Sequence, residues 1–472
     1  MKENSIKPWH TACFILLILL LFGAVGYFNP KNEWQLSGGV VLRAPVWRPW
    51  EDFQEEKAAK ARARQDSLAE WAVRDSLMEL GITPPPVARK GEGLIQFAPG
   101  DSIGFAKLVL QLEKAKKGES IRVLHYGDSQ IEGDRITGDV RDALQQVYGG
   151  EGPGLQPLVP FVPMSAVEHS ATGDWTRMVS FGRANSKNPT NQYGIRGIAH
   201  RFNVSGTGST SASVSLRPRS YGFTRARRSR KFTLFHGPVA EPLEIKWFAN
   251  DTLWKVAYLE AGRPEGSLTV QSSQPVQSLH IEFNGHSPDF YGLAMDGAGG
   301  VSVDNIAMRG ADGLSFSRMD RNHFTRSLRE QHVGLVILQF GGNSVPYFRS
   351  HDAVQRYGDS FRRQIQLFKA ALPDADILVI GPSDMATKEG MDWVSYPYVD
   401  DVRDVLKEAA FEEGAGFFDV MTFMGGEGSM AEWVEASPAL AGPDHIHFTP
   451  NGAKKVASAL AEALIDEIDR HE

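Results

Sequence analysis

The sequence predicts an α/β protein: a parallel sheet with helices on both faces, interrupted by an all-β sandwich. Three observations predict it. Strand-like and helix-like runs alternate over about 94–164 and again over 299–472. Between them, over 165–298, short runs of period two recur, separated by Gly, Pro, Asn and Ser. Third, Gly127-Asp128-Ser129 stands between an apolar strand and a helix start, which is how a serine is held out in the open beside free backbone N–H groups.

The N-terminus comes first. Lys2 and Lys7 precede an uncharged run from Thr11 to Phe28 that is rich in Leu, Ile and Phe. About eighteen helical residues span ~27 Å, close to a bilayer core. With the lysines kept inside, the rest of the chain would cross the membrane. A cleaved signal peptide is the competing reading, because Ala24-Val25-Gly26 resembles a cleavage site. The run is long for a signal peptide, so residues 1–28 read as an inner-membrane anchor with the remainder in the periplasm. Residues 29–93 read as linker and stalk. Pro30, Pro45 and Pro49 make 29–50 look irregular, and 51–80 is a charged helix pattern that Pro84-Pro85-Pro86 ends.

The first α/β segment, 94–164, opens with Phe105, Leu108, Val109 and Leu112 on one helical face. The Ile121–Tyr126 strand and a helix to about Val147 follow. In the insertion, runs such as Leu243–Trp247 and Ser278–Phe283 alternate apolar and polar residues. The second α/β segment, 299–472, reads as strands at Val301–Met308, Gly334–Phe340, Ile377–Ile380 and Gly416–Val420. Helices are expected at Asp352–Leu372 and Val399–Glu413, and a last one with Val456, Leu460, Leu464 and Ile468 on one side. Thr449 caps that last helix and Pro450 opens it.

Bulk properties narrow the function. The chain has 472 residues, 42% of them hydrophobic, enough for two or three domains. A net charge of −7 argues against nucleic acid as the partner. The single cysteine, Cys13, lies in the first apolar run, so no disulfide framework or cysteine-based zinc site is expected downstream.

Three serines sit in Gly-Asp-Ser triplets. Gly100-Asp101-Ser102-Ile103-Gly104 fits a G-x-S-x-G elbow, but Ala98-Pro99 interrupts the strand it needs, and Asp101 or Ser102 reads better as a helix cap. Ser360 falls inside a helical pattern. Ser129 alone has strand, turn and helix around it. Near the other end, Asp444-His445-Ile446-His447 supplies an acid and a base. His447 is the expected base and His445 its rival; His445 and His447 together could also be metal ligands, though no third ligand stands at a recognisable spacing. His125, on the strand before Ser129, reads as packed. Trp175, Trp247 and Trp254 are candidates to stack on sugars, with core packing the expected fate of two of them.

Four blocks in order resemble those of the SGNH, or GDSL-type, hydrolases. They are Gly127-Asp128-Ser129; Gly310 in Met308-Arg309-Gly310-Ala311; Gly341-Gly342-Asn343 after a strand; and Asp444-x-x-His447 followed by Phe448-Thr449-Pro450. Two departures stand out: Gln130 replaces the Leu of the family's name, and Ser344 follows Asn343 where relatives often carry an acid. The resemblance implies a flavodoxin-like sheet and a catalytic triad of Ser129, His447 and Asp444. It further implies an oxyanion hole made of the Ser129 and Gly310 N–H groups and the Asn343 amide, with no metal or cofactor. The inserted β-domain and membrane-proximal N-terminus are similar to bacterial peptidoglycan O-acetylesterases, whose insertion resembles a carbohydrate-binding module. The expectation is therefore a serine esterase that removes O-acetyl groups from a cell-envelope glycan. A glycan O-acetyltransferase on the same fold and a non-catalytic glycan-binding envelope protein are the alternatives.

Overall fold

The structure, a computed structural model, describes residues 33–36, 40–43, 94–182, 187–203 and 211–471. The chain divides into two compact units, 1–88 and 89–472. In the first, β1 (Glu33–Leu36) pairs antiparallel with β2 (Val40–Arg43), with Leu36 opposite Val40. This corrects the expectation of irregular chain over 29–50. Pro30, Pro45 and Pro49 all fall outside the two strands, so no ladder donor is lost to them. The expected membrane span 11–28 and stalk helix 51–80 lie outside the described residues. Among the described residues, no helix is long and apolar enough to cross a membrane.

The second unit begins with β3 (Ile95–Gln96), α1 (Ala106–Lys116), β4 (Ser120–Gly127) and α2 (Thr137–Tyr148). The β-rich stretch follows: β5 (Gly154–Gln156), β6 (Val167–Thr172), β7 (Trp175–Val179), β8 (Ile198–Phe202), β9 (Ser211–Pro218), β10 (Lys231–His236), β11 (Leu243–Ala249), β12 (Thr252–Leu259), β13 (Gly266–Gln271), β14 (Leu279–Gly285) and β15 (Phe290–Asp296). The α/β pattern then resumes with β16 (Gly300–Ala307), α3 (Arg321–Arg329), β17 (Val333–Gln339), α4 (His351–Ala371) and β18 (Asp376–Ile380). A hairpin of β19 (Ala386–Glu389) and β20 (Asp392–Ser395) precedes α5 (Val399–Glu412), β21 (Gly416–Phe418), α6 (Val420–Met424), α7 (Ser429–Glu435) and α8 (Pro450–Asp469).

One sheet runs β16-β4-β17-β18-β21-β3, with β3 antiparallel at its edge and the rest parallel. Taken in chain order, the five parallel strands lie 2-1-3-4-5, the flavodoxin-like order. The strands are buried on both faces, which is why β17 and β18 read as nearly unbroken apolar runs, while β4 and β16 carry the buried polar residues Arg122, His125, Ser302, Asp304 and Asn305. Leu124, Tyr126, Val336 and Leu338 face one core, shared with α3, α4 and α5. Ile121, Val123, Leu335 and Ile337 face the other, shared with α1, α2 and α8. The strand order reverses between β4 and β17, so their carboxyl ends flank a crevice suited to a ligand.

The β-rich stretch folds into two facing sheets. One is β13-β10-β15-β8-β7, with β5 also on β15; the other is β12-β11-β14-β9-β6. Phe232, Trp247, Ile281, Phe283 and Phe290 fill the space between them. The sheets draw on residues ahead of the expected start at 165, because β5 is a three-residue strand too short to read from its pattern. A buried ionic joint ties the sandwich to the parallel sheet. Arg122 of β4 reaches Asp304 of β16 at 2.7 Å and Asp296 of β15 at 2.6 Å, and Asp304 accepts the Leu155 N–H at 2.8 Å.

Two local expectations are refined. Asp101 does not cap α1: its carboxylate accepts the N–H groups of Ile103 and Gly104, closing a turn one step earlier. Thr449 does cap α8, with its hydroxyl accepting the Gly452 N–H at 3.3 Å and Pro450 at the first helical position.

Candidate active site

β4 ends at Gly127, where a Cβ would lie 2.9 Å from Ile131 and 3.2 Å from the Gln339 carbonyl. Glycine is what lets the serine turn fold this close to the end of β17. The Asp128 carboxylate accepts the Gln130 N–H at 2.9 Å and starts a 3₁₀ turn with Ser129 as its first residue. Ser129 is half-buried.

The histidine arrives from the turn before α8. Gly442 donates its N–H to the His447 carbonyl at 2.8 Å, and His445 adopts a left-handed backbone, φ 54°. This places His447 Nε2 2.8 Å from Ser129 Oγ, across 318 residues of sequence. On the far side of the ring, Nδ1 lies 2.7 Å from Asp444 Oδ2. The other carboxylate oxygen accepts the N–H groups of Ile446 and His447, both at 3.1 Å. Burial works to raise the Asp444 pKa, but the bonds from the His447 ring and from these two N–H groups outweigh it and hold the carboxylate below its ordinary range. A charged Asp444 keeps the proton on Nδ1 and leaves Nε2 as an acceptor for the Ser129 hydroxyl.

Gly310 has φ 72° in the turn after β16, with open space where a side chain would stand. That turn is held to the serine strand by the Met308 N–H, which donates to the Gly127 carbonyl at 2.7 Å. Asn343 follows β17. Its side-chain amide donates to Asp128 Oδ2 at 2.9 Å and to the Ala311 carbonyl at 3.2 Å. The free site thus has both amide hydrogens engaged, and one bond must exchange before Asn343 can face an oxyanion.

Three alternate residues of the serine turn reach three different segments. Asp128 holds Asn343. Gln130 donates to the Ile446 carbonyl at 2.7 Å and accepts the Phe448 N–H at 3.3 Å. Glu132, buried, takes Arg309 Nε at 2.9 Å and Nη2 at 2.5 Å. Asp134 closes the turn on the buried Arg141 at 2.7 and 2.8 Å. The roles of Gln130, Glu132 and Arg309 were not read from the sequence. The one signal for them is the run of polar residues at every second position after Asp128.

The rival residues go elsewhere. Ser102 is exposed in the loop before α1, and Ser360 bonds back to the Arg356 carbonyl within α4. His125 is fully buried between Gln339 and Thr137, and burial pushes its pKa down to about 4. His445 lies flat on Trp393, ring centroids 3.6 Å apart. Among the described residues, no group of three or more His, Cys, Asp or Glu is placed to hold a metal ion. All three tryptophans pack on the sandwich core: Trp247 fully buried, Trp175 against Phe202 and Phe283, and Trp254 edge-on to Phe232.

A cleft of about 780 Å³, open solvent included, lies over the serine, lined by Asn343, Pro346, Tyr347, Pro382, Met385 and Ile446 along with Ser129 and His447. A hydroxyl, an imidazole bonded to it and a carboxylate on the far side of that ring, at the end of a parallel sheet, form an arrangement capable of acyl transfer.

The GDSL-like Lipase/Acylhydrolase family matches residues 267–455. The match carries Gly310, Asn343, Asp444 and His447; Ser129 lies ahead of it, separated by most of the sandwich. Over the matched residues this chain is similar to the GDSL-like lipases and acylhydrolases. Among solved structures, a peptidoglycan O-acetylesterase is similar to this chain at TM-score 0.63 and 22% identity, covering 80% of this chain and 100% of that one, a likeness of fold. A salicylyl-acyltransferase from a tetracycline biosynthetic pathway matches at TM-score 0.28 and 14% identity, over 65% of this chain and 95% of that one, too low to carry an argument. No curated protein matches the chain.

Proposed function

We propose that this protein is an SGNH-type serine esterase that removes O-acetyl groups from a cell-envelope glycan, peptidoglycan foremost. The observation that carries the reading is the hydrogen-bonded series Ser129–His447–Asp444 at 2.8 and 2.7 Å. The Ser129 hydroxyl oxygen attacks the acetyl carbon while its proton passes to His447 Nε2. The imidazolium then gives that proton to the departing sugar oxygen, leaving an acetyl-serine. Water, deprotonated by the same nitrogen, attacks the acetyl carbon next; the bond to Ser129 Oγ breaks, the serine takes the proton back from His447, and acetate leaves. The oxyanion is received by the Ser129 and Gly310 N–H groups and by Asn343, once it gives up its longer bond, the one to Ala311.

The glycan substrate is supported by the fold shared with a peptidoglycan O-acetylesterase. In this reading residues 1–28 anchor the chain in the inner membrane, 29–93 form linker and stalk, 94–164 and 299–472 form the hydrolase in the periplasm, and the insertion at 165–298 contacts the glycan.

The test is acetate release by the purified protein from O-acetylated peptidoglycan and from an aryl acetate. Ser129→Ala is expected to abolish it and Ser102→Ala to leave it intact. A dead Ser102→Ala with an active Ser129→Ala overturns the reading. Turnover only in the presence of a sugar acceptor would make the protein an O-acetyltransferase.

A further inference from the structure

Gln130 occupies the position where the family's name has Leu, and its amide does what no leucine can. Its Nε2 donates to the carbonyl of Ile446 and its Oε1 accepts the N–H of Phe448. These are the backbone groups immediately before and after His447. We propose that Gln130 is a positioning residue that clamps the His447 loop against the serine turn and so keeps Nε2 in line with Ser129 Oγ. The proposal rests on the serine-esterase reading above.

The buried His445 and Phe448 anchor the loop on either side, but burial does not hold the catalytic pair itself. The His447 side chain is 36% exposed and that of Asp444 50% exposed. The other bonds around His447 are mostly internal to the loop: Ile446 and His447 N–H to Asp444, and Gly442 N–H to the His447 carbonyl. The hairpin adds one tie, the Ala386 N–H to the His445 carbonyl. Among the described residues, the Gln130 amide provides the ties from the serine turn to this loop, apart from the Ser129–His447 bond itself. It acts like a peptide group inserted between two segments, donating to one side of His447 and accepting from the other. Because Gln130 directly follows the nucleophile, any drift of the histidine loop is referred to the serine. A displacement of about 1 Å at such a site costs on the order of a hundredfold in rate.

The experiment compares the full-length protein with Gln130→Met, which keeps the length and loses both bonds, and Gln130→Glu, which keeps an acceptor for Phe448 but at neutral pH has no donor for Ile446. Aryl acetate turnover and thermal unfolding are measured on each, with Ser129→Ala alongside. The expected result is a kcat lowered about tenfold to a hundredfold in Gln130→Met, with KM within about twofold and an unchanged melting temperature. Gln130→Glu should fall between Gln130→Met and the wild type. The proposal is overturned if Gln130→Met and Gln130→Glu both turn over like the wild type. It is also overturned if their activity falls only in step with melting temperature, since that is a folding role. An active Ser129→Ala would sink the serine reading itself, a failure separate from that of the clamp.

Discussion

Asn343 donates its side-chain amide to the carboxylate of Asp128 at 2.9 Å, joining the loop after β17 to the serine turn after β4. Asp128 is buried. Burial pushes its carboxyl up to about 6, although the Gln130 N–H, His447 and Asn343 each pull it down. The native protein therefore holds this proton more tightly than the unfolded chain, whose ordinary value is 3.8. Stability contributed here is complete below that value and is lost as pH rises from about 4 to 6, a change of ~3 kcal/mol at most. Asp128→Asn should not show this loss. Urea unfolding at pH 4 and pH 7 checks it: the variant should gain on the wild type between the two, and a constant difference would contradict the assignment.

The same bond bears on catalysis. Asn343→Ala removes the proposed donor to the oxyanion and is expected to lower kcat by about 10²–10³ with little change in KM. Steady-state kinetics on an aryl acetate decide it. A loss of less than about fivefold would leave Asn343 as a brace for Asp128 and no more.

Asp444 fixes the His447 tautomer. In Asp444→Asn the new amide can donate to Nδ1, which leaves the proton on Nε2 and no acceptor for Ser129. The expected loss in kcat is about 10²–10⁴ at pH 7, with the fold intact by circular dichroism. Wild-type turnover in this variant would show that the 2.7 Å contact does not orient the base.

Gly310 tests the geometry of the donor turn. Its φ of 72° suits glycine, and a side chain there meets no atom within 4 Å. Gly310→Ala should cost ~1–2 kcal/mol from backbone strain alone, measured by chemical unfolding. A larger cost would point to a clash that the structure does not contain.

The joint between sheet and sandwich is open to the same kind of measurement. Asp304 is fully buried against Arg122 and the Leu155 N–H. Asp304→Ala strands the buried Arg122 with the partly exposed Asp296 alone, and is expected to destabilise by ~3–5 kcal/mol. A variant that melts with the wild type would mean that Arg122 finds an equal partner elsewhere.

Much of the fold was legible. The apolar runs of β17 and β18 follow from burial on both faces, and the Thr449-Pro450 start of α8 follows from local capping. What escaped was short or non-local. β3 has two residues and owes its place to pairing with β21. The β19–β20 hairpin carries a Thr-Lys-Glu and Asp-Trp-Val pattern too brief to separate from loop. Gln130 was visible only as a departure from Leu, because its partners are backbone groups of residues 446 and 448, which no side-chain pattern announces.

By itself the sequence determined the chemical inventory and the local elements: a serine at a strand end, an acid and a base three residues apart, glycine and asparagine after two other strands. Periodicity and capping act over a few residues and are written where they act. The tertiary structure alone decided that these groups meet. Placing β4 between β16 and β17 brings their carboxyl ends side by side, and packing α8 against α2 carries His447 to the serine turn. Burial at that junction then set the proton affinity of Asp128, a property of its surroundings that the residue's own identity does not contain.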